Sequence, residues 1–130
     1  MPRPPGDGPP SGEGGNSGQA TVEFALLLPV LFVAVLGIVQ VGLVAADQIA
    51  VVHAAREGAR AAAVEADPAR VAAVVGRVLD GAEVDVGARG PVGSLVEVEV
   101  RFRSPTRVPL VGALVPDPLL AARAAMRVER

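Results

Sequence analysis

Residues 18–46 read GQATVEFALLLPVLFVAVLGIVQVGLVAA, and after Glu23 no charged side chain appears until Asp47. Between Phe24 and Ala46 the only strongly polar side chain is Gln40. About 23 residues, each rising about 1.5 Å, make a helix of roughly 34 Å, enough to cross a hydrocarbon layer of about 30 Å. Lipid offers nothing to satisfy bare backbone N–H and C=O groups, so residues 19–46 are expected to form a transmembrane helix. Pro29 removes one backbone bond near its start. It reads either as a kink or as an ordinary proline of a membrane helix.

Upstream, residues 1–18 are MPRPPGDGPPSGEGGNSG. Apart from Met1, proline and glycine they hold nothing apolar, so a disordered leader is expected. Arg3 set against Asp7 and Glu13 is unlike the basic start of a secretory signal, and the apolar run is longer than the usual core of one. Val44-Ala45-Ala46 would nevertheless serve as a small-residue cleavage site. That keeps a second reading open, an exported soluble binding domain whose signal is removed after Ala46.

GQATVEFALLLPVLF resembles the start of a class III signal, the type that prepilin peptidases process in type IV pilins. The tract ATVEFALLLP, followed by VQVGLVAADQIAVVHAAREGARAAAV, is similar to TadE-like minor pilins of the tight-adherence pilus system. The likeness covers residues 18–66. It implies a cut between Gly18 and Gln19, which would make Glu23 the fifth residue of the mature chain, with Phe24 next to it. Ser17 stands where such families often carry a basic residue. The resemblance further implies a structural assembly role without enzymatic activity: a minor pilin, or pseudopilin, that enters a filament or primes its assembly. It would be a single-pass protein of the cytoplasmic membrane with an extracytoplasmic C-terminal head. Its partners would be a prepilin peptidase, other pilins, a secretion ATPase and the pilus assembly platform, with membrane lipid around the span. The positive-inside rule, applied to Arg3 on one side and the nearer Arg56 and Arg60 on the other, favours the opposite orientation. The implied processing requires a cytoplasmic N-terminus.

The glutamate has a physical reason at this spacing. A cut after Gly18 leaves an ammonium group on Gln19, and a carboxylate one turn later lies near the helix start, where the dipole favours negative charge. Drawn below the interface, Glu23 would need a partner, and a neighbouring subunit's ammonium would fix the stagger between helices. The plainer reading is that Glu23 marks the membrane boundary.

Residues 47–66, DQIAVVHAAREGARAAAVEA, contain no proline and one glycine, so the helix is expected to continue. Gly42, Ala46, Ala50, Ala54, Gly58, Ala62 and Ala66 recur every four positions. Such a stripe lets backbones approach closely, as in membrane helix pairs, or it reflects an Ala- and Gly-rich composition. Arg56 and Arg60, with Asp47 and Glu57 nearby, read as a charge strip. His53 has no second ligand at suitable spacing and reads as a helix-surface histidine.

Residues 67–130 are expected to form a small αβ head. Asp67 as N-cap and Pro68 at the first position open a second helix, with Val71, Val74, Val75, Val78 and Leu79 on one face and Gly81 at its end. Val84 and Val86 alternate with Glu83 and Asp85, and Gly87 to Pro91 read as a turn region. Val96, Val98, Val100 and Phe102 alternate with Glu97, Glu99, Arg101 and Arg103. Ala122, Ala124, Met126 and Val128 then alternate with Arg123, Arg127 and Glu129. The fold class is α+β: a long apolar helix running on into a soluble one, a short second helix and a one-sided antiparallel sheet of about three strands. Arginines of the last strand are placed to pair with Glu97 and Glu99. Residues 104–118, SPTRVPLVGALVPDP, read as a proline-broken apolar loop, either core padding or a contact for another subunit.

Composition narrows the function. The 130 residues carry a net charge of −2, no cysteine, and only three aromatics, all phenylalanine. A near-neutral chain without stacking surface argues against nucleic acid. No cysteine means no disulfide framework and no thiolate site. No nucleophile with a base, metal cluster or phosphate loop stands out, so no cofactor, metal or catalytic residue is expected. Glu97 and Glu99 as a carboxylate pair read as a solvated strand face rather than as a glycosidase site.

Overall fold

In the computed structural model, residues 1–2 and 15–130 are described, residues 15–17 by their backbone alone. The expected leader therefore lies outside the described residues over positions 3–14. The chain divides into two units, Met1–Val35 and Leu36–Arg130.

The first unit holds the beginning of helix α1 (Gly15–Val64). Its start at Gly15 takes in the last residues of the expected disordered leader. Once a helix exists, each added residue gains a bond without a new nucleation step, so an apolar helix runs outward until something stops it. Pro29 lies inside α1, and the helical assignment continues through it. From Val22 to Val35 every large apolar side chain is exposed, from 42% at Val33 to 72% at Leu26. A helix apolar all round is one that expects a non-aqueous neighbour. By length and composition α1 is able to cross a membrane.

The second unit contains the remainder of α1, then α2 (Pro68–Val78), β1 (Glu83–Val86), β2 (Leu95–Arg103), a single turn α3 (Val111–Leu114) and β3 (Leu119–Arg127). The mixed α+β class read from the sequence is borne out, with one antiparallel sheet in the order β1-β2-β3. Helix α1 ends at Val64, two residues before the expected boundary, and Ala63 shows how. Its carbonyl oxygen accepts from the Glu129 N–H at 2.9 Å and from Arg89 Nη2 at 3.2 Å. Both donors satisfy a helix-end carbonyl that has no partner further along the helix. A guanidinium there also suits the negative end of the dipole.

Asp67 caps α2 through its carboxylate, which accepts from the Ala69 N–H at 3.0 Å, with Pro68 at the first position. The helix buries Val71 and Val75, while Val78 is largely exposed. It stops at Val78, and Gly81, at φ +75°, makes the turn into β1 rather than the cap itself. Between β1 and β2 the tight turn falls at residues 91–94, with Gly93 at φ +92°, just beyond the expected turn region.

The core is a valine layer laid on an alanine layer. Val96, Val98 and Val100 of β2 are fully buried and meet Val51, Ala54, Ala55, Ala59 and Ala62 of α1, with Val71, Val75 and Val128. Gly58 explains the closeness. A Cβ at that position would lie 2.8 Å from Val75 Cγ2 and 3.0 Å from Val98 Cγ1. These methyls belong to stiff β-branched side chains that yield little. At Gly42, by contrast, a Cβ would meet nothing within 4 Å.

Gly58→Val is therefore expected to lose stability by about 1–3 kcal/mol or more, since overpacking outweighs any gain in helix propensity. Gly42→Ala should be neutral or slightly stabilising. Thermal unfolding of the full chain in detergent, followed by circular dichroism, measures both; equal melting points for the two variants would contradict this packing.

Candidate functional site

The residues read from the sequence as a processing site lie in the first unit. Gly18, Gln19, Val22, Glu23 and Leu26 line a shallow groove along α1. Gln19 and Glu23 are four positions apart, the spacing that brings two side chains together on one helix face. Gly18 is exposed, and a Cβ there would meet nothing within 4 Å. The fold thus gives no packing reason for a glycine at that position. Phe24 is exposed beside the groove. All salt bridges among the described residues involve positions between Asp47 and Arg123, so Glu23 is in none of them.

The small-residue stripe divides in two. Gly42 and Ala46 are exposed, and Ala50 is half-buried. Ala54, Gly58 and Ala62 are buried beneath the protein's own sheet and α2. The lower part of the stripe is therefore occupied within this chain. Arg56, Arg60 and His53 are exposed on the remaining surface.

A polar strap between α1 and the β2–β3 connection was not foreseen from the sequence. Asp47, whose side chain is 14% exposed, accepts a hydrogen bond from the Ser104 hydroxyl at 2.6 Å and faces the Arg107 guanidinium at 3.4 Å. Ser104 is fully buried. Two turns earlier, the buried Gln40 Oε1 accepts from the Val108 N–H at 3.3 Å. Gln40 Nε2 is buried without a partner among the described residues. The sequence reading grouped Asp47 with Arg56 and Arg60, whereas the structure gives it to Ser104 and Arg107. A signal existed: one amide in an otherwise uncharged apolar run has to find a partner, because leaving it unpaired is costly.

On the solvent face of the sheet, Glu99 takes the Arg101 Nε at 2.8 Å and the Arg123 Nε at 2.9 Å. Arg123 lies directly opposite Glu99 in the β2–β3 register. The expected cross-strand pairing is thus found at Glu99 but not at Glu97, which faces Ala125, while Arg127 donates to the Gly93 carbonyl. The Arg101 hydrogen bond, then the charges of Arg101 and Arg123, hold the Glu99 carboxyl below the usual carboxylate range. Likewise, the Thr106 N–H, at 2.8 Å, holds the Asp117 carboxyl low. Among the described residues no group of His, Asp and Glu is arranged to hold a metal ion.

Comparison with known proteins bears on α1. The family described as TadE-like protein matches residues 18–60. Over that segment the chain is similar to TadE-like proteins. The matched stretch begins at Gly18 and takes in the apolar run, Gln40, Asp47 and Gly58, and it stops before α2. The likeness read from GQATVEFALLLP is thus found independently. No curated protein and no solved structure matches the chain.

Because the Glu99 carboxyl is held low by its arginines, it contributes stability above the ordinary glutamate value that is lost as pH falls through its depressed one. Stability should therefore decline in the acid range below about pH 4. Glu99→Gln should flatten the part of that decline due to this residue, as read by urea unfolding at a series of acid pH values. An unchanged acid profile in the variant would show that the two arginines have no such effect.

Proposed function

We propose that this chain is a minor pilin, or pseudopilin, of a tight-adherence pilus, anchored in the cytoplasmic membrane by α1 before it enters or primes the filament. The TadE-like match over residues 18–60 supports an association with that pilus system in general. The observation that carries the finer reading is the bare apolar surface of α1 behind Gly18 and Glu23. Its large side chains are exposed along the whole stretch from Val22 to Val35. A prepilin peptidase would cut between Gly18 and Gln19, and the freed ammonium with Glu23 would then dock against the helices of companion pilins and the assembly platform. The head would stay on the extracytoplasmic side. The role is structural rather than enzymatic.

The exported-domain reading, with a cut after Ala46, has less support. Such a cut would remove Gln40, which is buried against Val108, and with it one tie of the β2–β3 connection.

The Gly18 site offers a clean test, because a side chain there meets nothing in the fold. In a host that has the peptidase, the wild-type chain should begin at Gln19 by intact mass and N-terminal sequencing. Gly18→Ala should be fully folded but retain residues 1–18. A variant processed like the wild type would overturn the reading, and a chain beginning at Asp47 would favour export. Glu23→Gln should be processed normally yet fail to co-purify with companion pilins. Unimpaired co-purification would remove Glu23 from the docking step.

A further inference from the structure

The β2–β3 connection holds an uncharged stretch, Val108-Pro109-Leu110-Val111-Gly112-Ala113-Leu114-Val115-Pro116, bracketed by Arg107 and Asp117. Its neck is closed by two hydrogen bonds, from the Ser104 N–H to the Pro118 carbonyl at 3.0 Å and from the Thr106 N–H to Asp117 Oδ1 at 2.8 Å. Inside the tip, Val108 and Val111 turn inward and are nearly buried. Leu110, Leu114 and Val115 turn outward, Leu114 with 75% of its surface exposed. Leu110 adopts φ +69°, a conformation that glycine takes freely and leucine does not, and it does so with its side chain facing out.

The two ties to α1 fix where this tip lies along the helix. The neck is held at Asp47, the first charge after the apolar run, through Ser104 and Arg107. The tip is held at Gln40 through the Val108 N–H. Seven residues of helix separate these levels, about 10 Å along the axis. The connection therefore runs back from the polar end of the apolar run into its interior. At that level Ile38, Val39 and Val41 are exposed on the rest of the helix surface. Non-helical backbone is tolerated at membrane depth only where its polar groups are satisfied within the protein. The tip meets that condition at three amides: Val108 N–H to Gln40, Gly112 N–H to the Val108 carbonyl at 3.3 Å, and Val115 N–H to the Val111 carbonyl at 2.9 Å. Around the neck stand Asp47, Arg103, Arg107 and Asp117, the charged groups suited to headgroup level, where arginine stems lie along apolar surface and heads reach water.

We propose that residues 108–116 form a second membrane contact, a loop whose Leu110, Leu114 and Val115 are immersed in the acyl-chain boundary beside α1. The occupant of this surface is lipid, because the loop carrying the exposed Leu110, Leu114 and Val115 is tied at the level of Gln40, inside the apolar run read above as the span. The consequence is that the head is held against the membrane by a helix and a loop rather than swinging from a single tether. This rests on the membrane reading of α1, and the test separates the two.

The chain has no cysteine, so single cysteines carry a label uniquely. Ile38→Cys on the helix, Leu114→Cys on the tip and Ala88→Cys on an exposed part of the head would each be labelled with an NBD fluorophore. The full chain would then be placed in phosphatidylcholine–phosphatidylglycerol vesicles, with and without brominated acyl chains. Blue-shifted emission and quenching by brominated lipid at positions 38 and 114, but not at 88, is the expected result. Quenching at 38 with water-like emission at 114 would overturn the loop contact and leave the span intact. A label at 114 that is shielded from water yet unquenched, and that cross-links to a second copy, would mean that another subunit covers the loop, which also overturns the proposal. Absence of quenching at 38 would remove the span and the loop contact together.

Discussion

One helix carries large apolar side chains along one stretch and small ones along the next, and the fold depends on that change of size. From Val22 to Val35, and again at Ile38, Val39 and Val41, α1 carries large apolar side chains directed outward, a surface suited to lipid. From Ala54 to Ala63 it offers alanine and a glycine, and a sheet of valines settles onto that narrow backbone. Large residues in the second stretch would hold the sheet away, and small ones in the first would leave little apolar surface for a membrane. The residues after α1 therefore have no core of their own apart from that helix. Removing α1 would take away one of the two layers that bury Val96, Val98 and Val100. This is how so few residues after the apolar run form a fold in a chain without cysteine, whereas small domains often rely on disulfides.

The boundary between the two regimes is marked by polar groups that are used rather than merely exposed. Gln40 and Asp47 are each spent on the β2–β3 connection, one through a backbone amide and the other through a hydroxyl and a guanidinium. A buried carboxylate with only one partner would be costly. Two donors on Asp47 make the site consistent with its low exposure. The solvent face of the sheet repeats the logic at Glu99, where two arginines converge on one carboxylate. The arginines of these pairs are largely exposed while Glu99 is mostly covered, so the pairs order the strand face and add modestly to stability.

Much of this was legible beforehand because it depends on periodicity. Period-two alternation in VEVEVRF and AARAAMRV gave two strands and their buried faces, and Asp67-Pro68 gave the start of α2, since each pattern has a local cause. The uninterrupted apolar run gave the helix for the same reason. What could not be read depends on contacts far apart in the chain. Gly58 looked like one member of a repeating stripe, and only the approach of Val75 and Val98 distinguishes it from Gly42. Asp47 lies 57 residues from Ser104, and no spacing rule joins them. Glu97 and Glu99 looked equivalent, but the register sets Arg123 against one and Ala125 against the other. The residues proposed for processing are legible in a different way. Gly18 and Glu23 form no contact that the fold requires, so they were readable only as a pattern.

The order in which α1 meets its partners along the chain has a mechanical consequence. A pull applied to the N-terminal side of this helix would meet the loop ties at Gln40 and Asp47, then the Gln48 bond to the Ala121 carbonyl, before Val51 and the alanines. Tension would thus load a few directional bonds before it reached the broad valine interface behind them. Directional bonds give way over short displacements, whereas an interdigitated apolar layer resists over longer ones. The loop would act as a sacrificial fastening, able to peel and reseat while the sheet remains folded on its helix.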